Sequence, residues 1–460
     1  MAVTVSVERT GHQDIDGLLS HSRWNSFNLT YSFPKQASFY GSNYGSGEPQ
    51  SHFSSLNSLQ SKAAREVLAM VSSVTNLNFT EITETSGTHA TLRMANSNAP
   101  YPAWSYLPHE AEEGGDTWFG PSNGWFDAPV RGGYGYYAFI HELLHTVGLK
   151  HGNETGTFGA MTAARDSMEF SVMTYRSYVG ADGAYLENEQ WGYAQSLMMY
   201  DIAALQHLYG ANYSTRVGNT VYRWNPATGQ EYIDGVGQGT PGGNRIFMTV
   251  WDGGGNDTYD FSNYTTALSV DLAPGQWSRV ATSQLAELGN GRFARGNIAN
   301  AMTHDGDSRS LIENAIGGSG NDTIVGNVAA NSLNGGAGSD RLNGMQGNDS
   351  LTGGAGSDIF IFNTAPSGTT NVDRILDYSV AADTIHLENA VFTTLGAPGK
   401  LSSSAFWIGA KAHDASDRVL YDNVKGDLYY DADGTGKAAS IVFAQLPKGL
   451  KMTAAEFMIV

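Results

Sequence analysis

The stretch Gly317–Ile361 consists of five consecutive nonapeptides, GGSGNDTIV, GNVAANSLN, GGAGSDRLN, GMQGNDSLT and GGAGSDIFI. Four of them carry aspartate at position six, and all five carry an apolar residue at position eight. A flexible glycine linker, the alternative interpretation, requires no such register. Six glycine-rich residues can form a turn with positive φ angles, and three can form a short strand whose position-eight side chain points inward. The repeat therefore predicts stacked turns and strands in a parallel β-roll.

Oxygen atoms recur at regular spacing along this predicted roll. Position-six carboxylates and the carbonyl groups of neighbouring turns can supply the oxygen ligands that Ca²⁺ takes in proteins. Without calcium, closely packed carboxylates repel one another, so folding of the roll is expected to depend on several calcium ions. The composition agrees, because 45 Asp and Glu against 26 Lys and Arg leave a formal charge of −19.

The composition also excludes several classes of protein. The acidic charge argues against nucleic acid or an anionic membrane as the partner. No stretch approaches 18 consecutive apolar residues, so no membrane insertion is expected. Because the chain has no cysteine, it can contain neither a disulfide, nor a thiolate zinc site, nor a cysteine nucleophile.

The chain before about residue 210 differs from the repeat region in the spacing of its apolar residues. Its apolar spacing predicts helices over Ser61–Val74, Tyr134–Lys150 and Leu197–Tyr209, and strands over Phe79–Ile82, Ala90–Met94 and Tyr101–Leu107. We therefore divide the chain into an α+β domain over residues 16–214 and an all-β domain over residues 215–460. Residues 1–15 are expected to be a short propeptide, which their composition does not itself indicate.

One motif in the second predicted helix indicates a metal site. His141–His151 reads HELLHTVGLKH and fits H-E-x-x-H-x-x-G-x-x-H. His141 and His145 lie on one helix face and can share one ion, whereas surface histidines on a helix are the alternative interpretation of the short motif. A straight helix would separate His141 from His151 by about 15 Å. Gly148 can reverse the chain in a left-handed conformation. The reversal would bring His151 back to His141 and His145 and complete a three-histidine zinc site.

A second motif lies downstream of the histidines. Met173 and Tyr175 form a Met-x-Tyr sequence, and Met173 lies 22 residues after His151. A lone methionine is usually a core residue. A methionine turn that follows the extended zinc motif is, however, typical of metzincin proteases.

Together these motifs resemble the serralysin family, secreted metzincin proteases that join a zinc catalytic domain to a calcium-binding RTX roll. The resemblance implies an α+β metzincin catalytic domain followed by an all-β parallel β-roll, and a zinc-dependent endopeptidase of broad specificity. It implies one zinc ion held by His141, His145 and His151, with Tyr175 as a movable further ligand that assists catalysis. Glu142 would be the general base towards a zinc-bound water, and Met173 the apolar floor of the site.

One residue departs from the family pattern. Family members usually place proline after the third histidine, and here Gly152 stands there. The following loop, residues 153–169, is therefore expected to be freer than usual.

The resemblance also implies calcium positions, several of them backbone carbonyls. Those at the domain junction are Arg216, Gly218, Thr220, Asp252, Gly254 and Asp257 for one ion, and Gly255, Asp257, Leu311 and Glu313 for a second. Those in the roll are Gly318, Gly320, Asp322, Asn327, Ala329, Asn331, Gly336, Gly338, Asp340, Met345, Gly347, Asp349, Gly354, Gly356 and Asp358, with Asp383 capping the stack.

The ends of the chain bear on export. The first residues lack the basic and apolar regions of a Sec signal peptide. Glu456–Val460 resembles the acidic and hydrophobic tail of proteins exported by a type I transporter, although an edge strand would have the same pattern. We expect a secreted monomer that acts on protein substrates, with this transporter and a protein inhibitor as candidate partners.

Two other functions remain open. The first is a non-proteolytic RTX adhesin or carrier whose H-E-x-x-H motif is incidental. The second is another RTX-borne hydrolase such as a lipase, which would need a G-x-S-x-G nucleophile elbow; we expect no such elbow in this chain.

Overall fold

The computed structural model describes residues 3–460, so the first two residues of the predicted propeptide lie outside it. The described chain is mostly β with few helices. The α-helices are α1 (Gln13–Asp16), α2 (Ser58–Val74), α3 (Tyr134–Thr146) and α4 (Met199–Tyr209). No helix among residues 3–460 has the length and apolar character needed to cross a bilayer.

The first part of the chain contains a six-stranded sheet against which the long helices pack. Its strands, with a short N-terminal pair, are β1 (Thr4–Ser6), β2 (Ser22–Trp24), β3 (Asn28–Ser32), β4 (Ser54–Ser55), β5 (Asn78–Glu81), β6 (Leu92–Asn96), β7 (Ala103–Ser105) and β8 (Thr117–Phe119). The order is β5-β3-β6-β8-β7, with β4 added on β6. The edge strand β7 runs antiparallel to β8 and contacts α3.

Helix α2 begins earlier than the sequence predicted. The side chain of Asn57 accepts hydrogen bonds from the amides of Leu59 and Gln60, and the side-chain oxygen of Gln60 accepts one from the amide of Asn57. This reciprocal cap satisfies amides that the helix itself leaves free, so the helix starts at Ser58 rather than Ser61.

Helix α3 ends earlier than predicted, at Thr146 instead of Lys150. Gly148 has φ +108°, its amide bonds to the carbonyl of His145, and the amide of Leu149 bonds to the carbonyl of Leu144. This is a Schellman ending, which requires a left-handed residue just past the helix. The chain therefore reverses immediately after the second histidine.

The second part of the chain is all β. Its strands are β9 (Val221–Trp224), β10 (Glu231–Ile233), β11 (Val236–Gly237), β12 (Met248–Val250), β13 (Thr258–Asp260), β14 (Ser269–Asp271), β15 (Trp277–Ser278), β16 (Glu287–Gly289), β17 (Arg292–Phe293), β18 (Ile298–Asn300), β19 (Asn314–Ile316), β20 (Thr323–Val325), β21 (Ser332–Ala337), β22 (Arg341–Asn343), β23 (Ser350–Ala355), β24 (Ile359–Phe362), β25 (Asp373–Ile375), β26 (Thr384–Leu387), β27 (Gly399–Lys400), β28 (Phe406–Ile408), β29 (Val419–Asp422), β30 (Asp427–Tyr430), β31 (Ile441–Gln445) and β32 (Phe457–Ile459).

The nonapeptide strands alternate between two sheets. β19, β21, β23 and β25 are parallel neighbours in a 12-stranded sheet, and β20, β22, β24 and β26 are parallel neighbours in a seven-stranded sheet. The position-eight side chains are all buried between them, as predicted: Ile324, Leu333, Leu342, Leu351 and Phe360. One full coil is therefore two nonapeptides.

The C-terminal strand is not an edge strand. β32 lies between β26 and β27 in the seven-stranded sheet, and Phe457 and Ile459 are buried. Two of the four apolar residues of the predicted export tail therefore pack in the core of the roll.

The hydrophobic core of the first part extends past its predicted boundary at residue 214. Phe247, Trp251, Leu288 and Ala299 belong to the same cluster of buried side chains as α2, α3 and α4. The two parts of the chain are consequently packed together over residues 247–301 rather than joined only by a linker.

Candidate metal centre

Three histidine side chains meet at one point beside the end of α3. His141 and His145 lie in the last turns of the helix and are buried. The amide of Lys150 donates to the carbonyl of Leu18 over 2.8 Å, which holds the reversed chain alongside the N-terminal segment. His151 Nε2 then lies 3.1 Å from both His141 Nε2 and His145 Nε2.

Hydrogen bonds on the far side of each ring determine which nitrogen carries the proton. Nδ1 of His141 lies 2.8 Å from the carbonyl oxygen of Val172, and Nδ1 of His145 lies 2.7 Å from that of Leu149. Carbonyl oxygens only accept, so both Nδ1 atoms donate and both Nε2 atoms have a free lone pair. Nδ1 of His151 is held in the same way by Glu154 Oε1 at 2.6 Å.

This donor set fits a zinc ion. Tetrahedral zinc binds imidazole nitrogen at about 2.0–2.1 Å, which separates two nitrogens by about 3.3 Å. Burial lowers the pKa of His141 to about 3 and that of His145 well below its usual value, with the neighbouring histidines adding to the effect. The rings are therefore neutral, and their three lone pairs face one another.

Glu142 supplies an unpaired carboxyl group beside the histidines. Burial raises its pKa to about 8, against a smaller opposing effect of the Ser105 hydroxyl. Its Oε2 atom is buried and has no hydrogen-bond partner among the described residues. A buried carboxyl oxygen without a partner is costly in a purely structural role.

Tyr175 approaches the site from the opposite side. Its hydroxyl lies 2.8 Å from His151 Nε2, and its ring is 40% exposed. Because His151 Nδ1 already carries the proton, the Tyr175 hydroxyl donates to Nε2 here. Met173, two residues earlier, is fully buried, and Asp201 anchors this segment by accepting from the Ser171 hydroxyl and the Val172 amide.

The loop after the third histidine is held at several points, although proline is absent. The amide of Gly152 donates to the carbonyl of Met173, and its carbonyl accepts from Met161. The buried ammonium group of Lys150 donates to the carbonyls of Gly17, Glu154 and Gly159 at 2.5, 2.9 and 3.0 Å. These bonds define the path of residues 152–161 in place of the expected looseness.

A cavity of about 740 Å³ opens directly beside His141 and Glu142. Among the described residues, they are the only His, Asp, Glu, Lys or Arg side chains on its wall. The rest is mostly aromatic and apolar, including Trp125, Tyr134, Tyr137, Ala138, Trp191 and Tyr193. Ala138 stands one helical turn before Glu142, so its small side chain leaves this space open.

Comparisons with known proteins show which family the chain is similar to. A family model described as peptidase M10 serralysin C terminal matches residues 211–397. Metalloprotease AprA of Pseudomonas entomophila is 38% identical over 379 residues, which cover 78% of this chain and 71% of that protein. Metallopeptidase AprA of Pseudomonas marginalis is 36% identical over 428 residues, which cover 90% of this chain and 83% of that protein. Serralysin of Proteus mirabilis is 33% identical over 329 residues, 66% of this chain and 60% of that protein.

This chain belongs to the serralysin family. It is accordingly a metalloendopeptidase, as the sequence predicted. The three-histidine group lies in the part of the chain that precedes the matched C-terminal model.

The predicted calcium positions of this serralysin-family chain form two ladders along the roll. In the first, the amide of Asp322 donates to Asp340 Oδ1 over 2.7 Å, and that of Asp340 to Asp358 Oδ1 over 2.9 Å. The amide of Asp358 donates in turn to Asp383 Oδ1, so Asp383 stands at the end of this ladder. Each carboxylate thus binds the turn one coil before it.

The second ladder follows the other edge of the roll. The amide of Asn331 donates to Asp349 Oδ1 over 2.7 Å, and that of Asp349 to Asp373 Oδ1 over 3.2 Å. The place of Asp373 in the ladder was missed from the sequence, because this residue stands outside the nonapeptide register.

The ladder carboxylates are crowded and partly unpaired. Burial raises the pKa of Asp340 to about 6, that of Asp349 to about 7 and that of Asp373 to about 8, and neighbouring carboxylates raise those of Asp340 and Asp373 further. The Oδ2 atoms of Asp340 and Asp349 are buried without a hydrogen-bond partner among the described residues. Unpaired carboxylate oxygens in rows suit a hard cation.

Three acidic side chains also meet at the predicted junction sites. Asp257 Oδ1 accepts from the Thr220 amide, and the Asp257 amide donates to Glu313 Oε2, each over 2.8 Å. Burial, with Asp252 and Glu313 nearby, raises the pKa of Asp257 to about 7. Asp257 Oδ2 is buried without a hydrogen-bond partner among the described residues, which again fits a cation.

The remaining junction positions offer backbone atoms. The Arg216 guanidinium donates to the Trp251 carbonyl over 2.9 Å, so only the Arg216 carbonyl could serve as a ligand. Positive φ angles at Arg216, Gly254 and Gly255 turn the backbone sharply here. The Gly218 carbonyl accepts from the Thr220 hydroxyl, and the Leu311 side chain is buried.

The expectation that the chain lacks the letters G-x-S-x-G was wrong. Gly120–Gly124 reads GPSNG, directly after strand β8. Ser122 is nevertheless buried, and its hydroxyl donates to the Pro102 carbonyl over 3.3 Å instead of meeting a histidine. A nucleophile elbow needs an exposed serine with a base in reach, so this string gives no support to a lipase.

Other contributing residues were missed from the sequence. Glu154 orients His151 from three residues away, and an acidic residue at that spacing was the available signal. Lys150 and Gly152 act through main-chain contacts, which no spacing rule indicates. A further group, His413, Asp414 and Asp417, has ligand atoms within 4.8 Å of one another, but they already bind each other.

Proposed function

We propose that this chain is a secreted zinc endopeptidase with a metzincin catalytic domain over residues 16–214 and a calcium-binding RTX β-roll over residues 215–460. The observation that carries the proposal is the convergence of three proton-free Nε2 atoms beside one unpaired buried carboxyl group. His141, His145 and His151 would hold the zinc ion. No observation favours the adhesin or carrier alternative.

The chemistry divides between the metal and the protein. A bound zinc ion acidifies a water molecule and polarises a carbonyl group. Glu142 would accept the proton of the attacking water on its unpaired oxygen and pass it to the leaving amine. Tyr175 would donate its hydroxyl hydrogen to the oxyanion that develops on the substrate.

Two surfaces would bind the substrate. The edge strand β7 has a free side, so an extended peptide can add to the sheet there through main-chain hydrogen bonds. Apart from His141 and Glu142, the described wall of the aromatic cavity carries no charged side chain, so the cavity would accept a bulky apolar side chain next to the scissile bond. A charged side chain would be desolvated there without a partner of its own. Backbone binding at β7 would account for broad specificity. The cavity would add a preference for substrates with a bulky apolar side chain next to the scissile bond.

The roll would serve stability and export. Unpaired carboxylate oxygens in both ladders support binding of several calcium ions by the predicted ladder and junction residues. Binding outside the cell would drive folding there, where calcium is plentiful. A type I transporter would recognise the tail over residues 456–460 before the strand β32 packs into the roll.

The test is Glu142→Gln in the full chain. Proteolysis of casein is expected to fall about 10²- to 10⁴-fold, the usual contribution of a general base, with one zinc ion still bound per chain. Glu81→Gln, which changes an exposed carboxylate on β5, is the matched control and should leave activity unaltered. Unimpaired proteolysis in Glu142→Gln, or a wild-type chain without zinc, would refute the proposal.

A further inference from the structure

The five nonapeptide turns fall into two conformational classes. In three of them, positions two and four both have positive φ angles; we name these the open turns. Their angles are +98° and +124° at Gly336 and Gly338, +71° and +127° at Met345 and Gly347, and +96° and +150° at Gly354 and Gly356. The turns Gly318–Asp322 and Asn327–Asn331 have no positive φ at either position, and we name them the closed turns.

The two classes treat the position-six side chain differently. In each closed turn the amide at position two donates to it over 2.7 Å, from Gly318 to Asp322 Oδ2 and from Asn327 to Asn331 Oδ1. In the open turns that amide points elsewhere, and Asp340 Oδ2 and Asp349 Oδ2 are left without a partner among the described residues. A cation therefore finds free carboxylate oxygens only in the open class.

Within the closed class, the turn Asn327–Asn331 is satisfied by its own amide groups. Asn327 Nδ2 donates to the carbonyls of Leu272 and Ile312, at 3.1 and 2.8 Å. Asn331 Nδ2 donates to the carbonyl of Glu313 at 2.9 Å and to Asn327 Oδ1 at 3.1 Å. Amide hydrogens thus occupy carbonyl oxygens here, and hydrogen-bearing NH₂ groups repel a cation.

The backbone cannot readily convert this turn to the open form. Position four of the open turns has φ between +124° and +150°, a region in which only glycine is comfortable. In the turn Asn327–Asn331 that position is Ala329, whereas in the turn Gly318–Asp322 it is Gly320. Calcium can therefore open the turn Gly318–Asp322 but not the turn Asn327–Asn331.

We infer that the turn Asn327–Asn331 binds no calcium ion and that hydrogen bonds from its side-chain amides hold the turn in place of an ion. This reverses the expectation for Asn327, Ala329 and Asn331, whose chemistry does not fit the metal, and it rests on the proposed calcium-binding role of the roll. The turn links the first coil to residues 272 and 312–313 whether or not calcium is present.

The inference is tested by counting the calcium ions on the full chain with native mass spectrometry in calcium-containing buffer. Asn331→Ser is expected to carry the same number as the wild type. Asp349→Asn, the matched change at position six of the next turn on the same edge, should lose at least one ion. Loss of an ion in Asn331→Ser would overturn the inference while leaving the calcium roll intact.

A gain-of-site variant tests the same idea in the opposite direction. The triple change Asn327→Gly, Ala329→Gly and Asn331→Asp restores the glycines and the carboxylate of an open turn. It should bind one calcium ion more than the wild type. An unchanged count in this variant would refute the conformational argument. A wild type free of roll calcium would instead refute the proposed calcium-binding role of the roll.

Discussion

The backbone amide of Gly152 donates a hydrogen bond to the carbonyl oxygen of Met173 over 2.7 Å. This bond joins the residue after the third histidine to the methionine of the downstream turn. A proline at position 152, which the family pattern usually has, could not donate it. Met173 lies next to Val172, whose carbonyl holds His141, so the bond connects the surroundings of two histidines.

Replacing Gly152 by proline should therefore destabilise the site more than replacing it by alanine. Both changes add a Cβ atom about 2.7 Å from the flexible Met161 sulfur, but only proline removes the amide hydrogen. A lost buried hydrogen bond costs about 1–2 kcal/mol. The thermal midpoint of the metal-loaded chain should be lower for Gly152→Pro than for Gly152→Ala, and equal midpoints would contradict this role.

Tyr175→Phe should lower kcat about 10- to 100-fold with little change in KM. The hydroxyl lies against Nε2 of His151, where it can stabilise charge that develops only in the transition state. Tyr178→Phe is the control, since that hydroxyl contacts Glu187 away from the histidines. Steady-state kinetics on a fluorogenic peptide will decide, and equal changes in kcat and KM would instead indicate a binding role.

Ala138→Leu should weaken the preference of the enzyme for bulky apolar residues next to the scissile bond. A larger side chain one turn before Glu142 would fill part of the aromatic cavity. Cleavage of peptides with Phe or Leu next to the scissile bond should fall relative to peptides with Ala there. Ala69→Leu, on the exposed face of α2, should cleave both sets like the wild type. An unaltered ratio in Ala138→Leu would show that the cavity does not receive the substrate.

Calcium removal should unfold the roll and inactivate the enzyme more slowly than zinc removal does. Without cations, the buried ladder carboxylates repel one another, whereas a chelator can reach the histidine site through the cavity that opens beside His141. EGTA should cause a slow loss of β-sheet circular dichroism with parallel loss of activity, and a zinc-selective chelator should cause a rapid loss of activity with an unchanged spectrum. An EGTA-treated chain with an intact spectrum would disprove the calcium dependence.

Much of the fold and site could be predicted because the decisive information is local. The nonapeptide register places position-eight side chains inside the roll, since turn and strand lengths repeat without help from distant residues. The spacing of His141, His145, Gly148 and His151 likewise requires a helix followed by a reversal. The helix ends were misjudged by three or four residues, because Asn57 and Gly148 act through backbone hydrogen bonds rather than apolar periodicity.

By itself the sequence determined the roll, the three-histidine motif and the family, because periodicity and residue spacing are properties of one continuous segment. Only the tertiary structure decided which imidazole nitrogens are free, which turns are open, and how Gly152 and Lys150 hold the loop. These features depend on hydrogen bonds between residues far apart in the chain, such as Val172 with His141 and Asn327 with Leu272. Such partners are chosen by packing in three dimensions, and no local pattern encodes them.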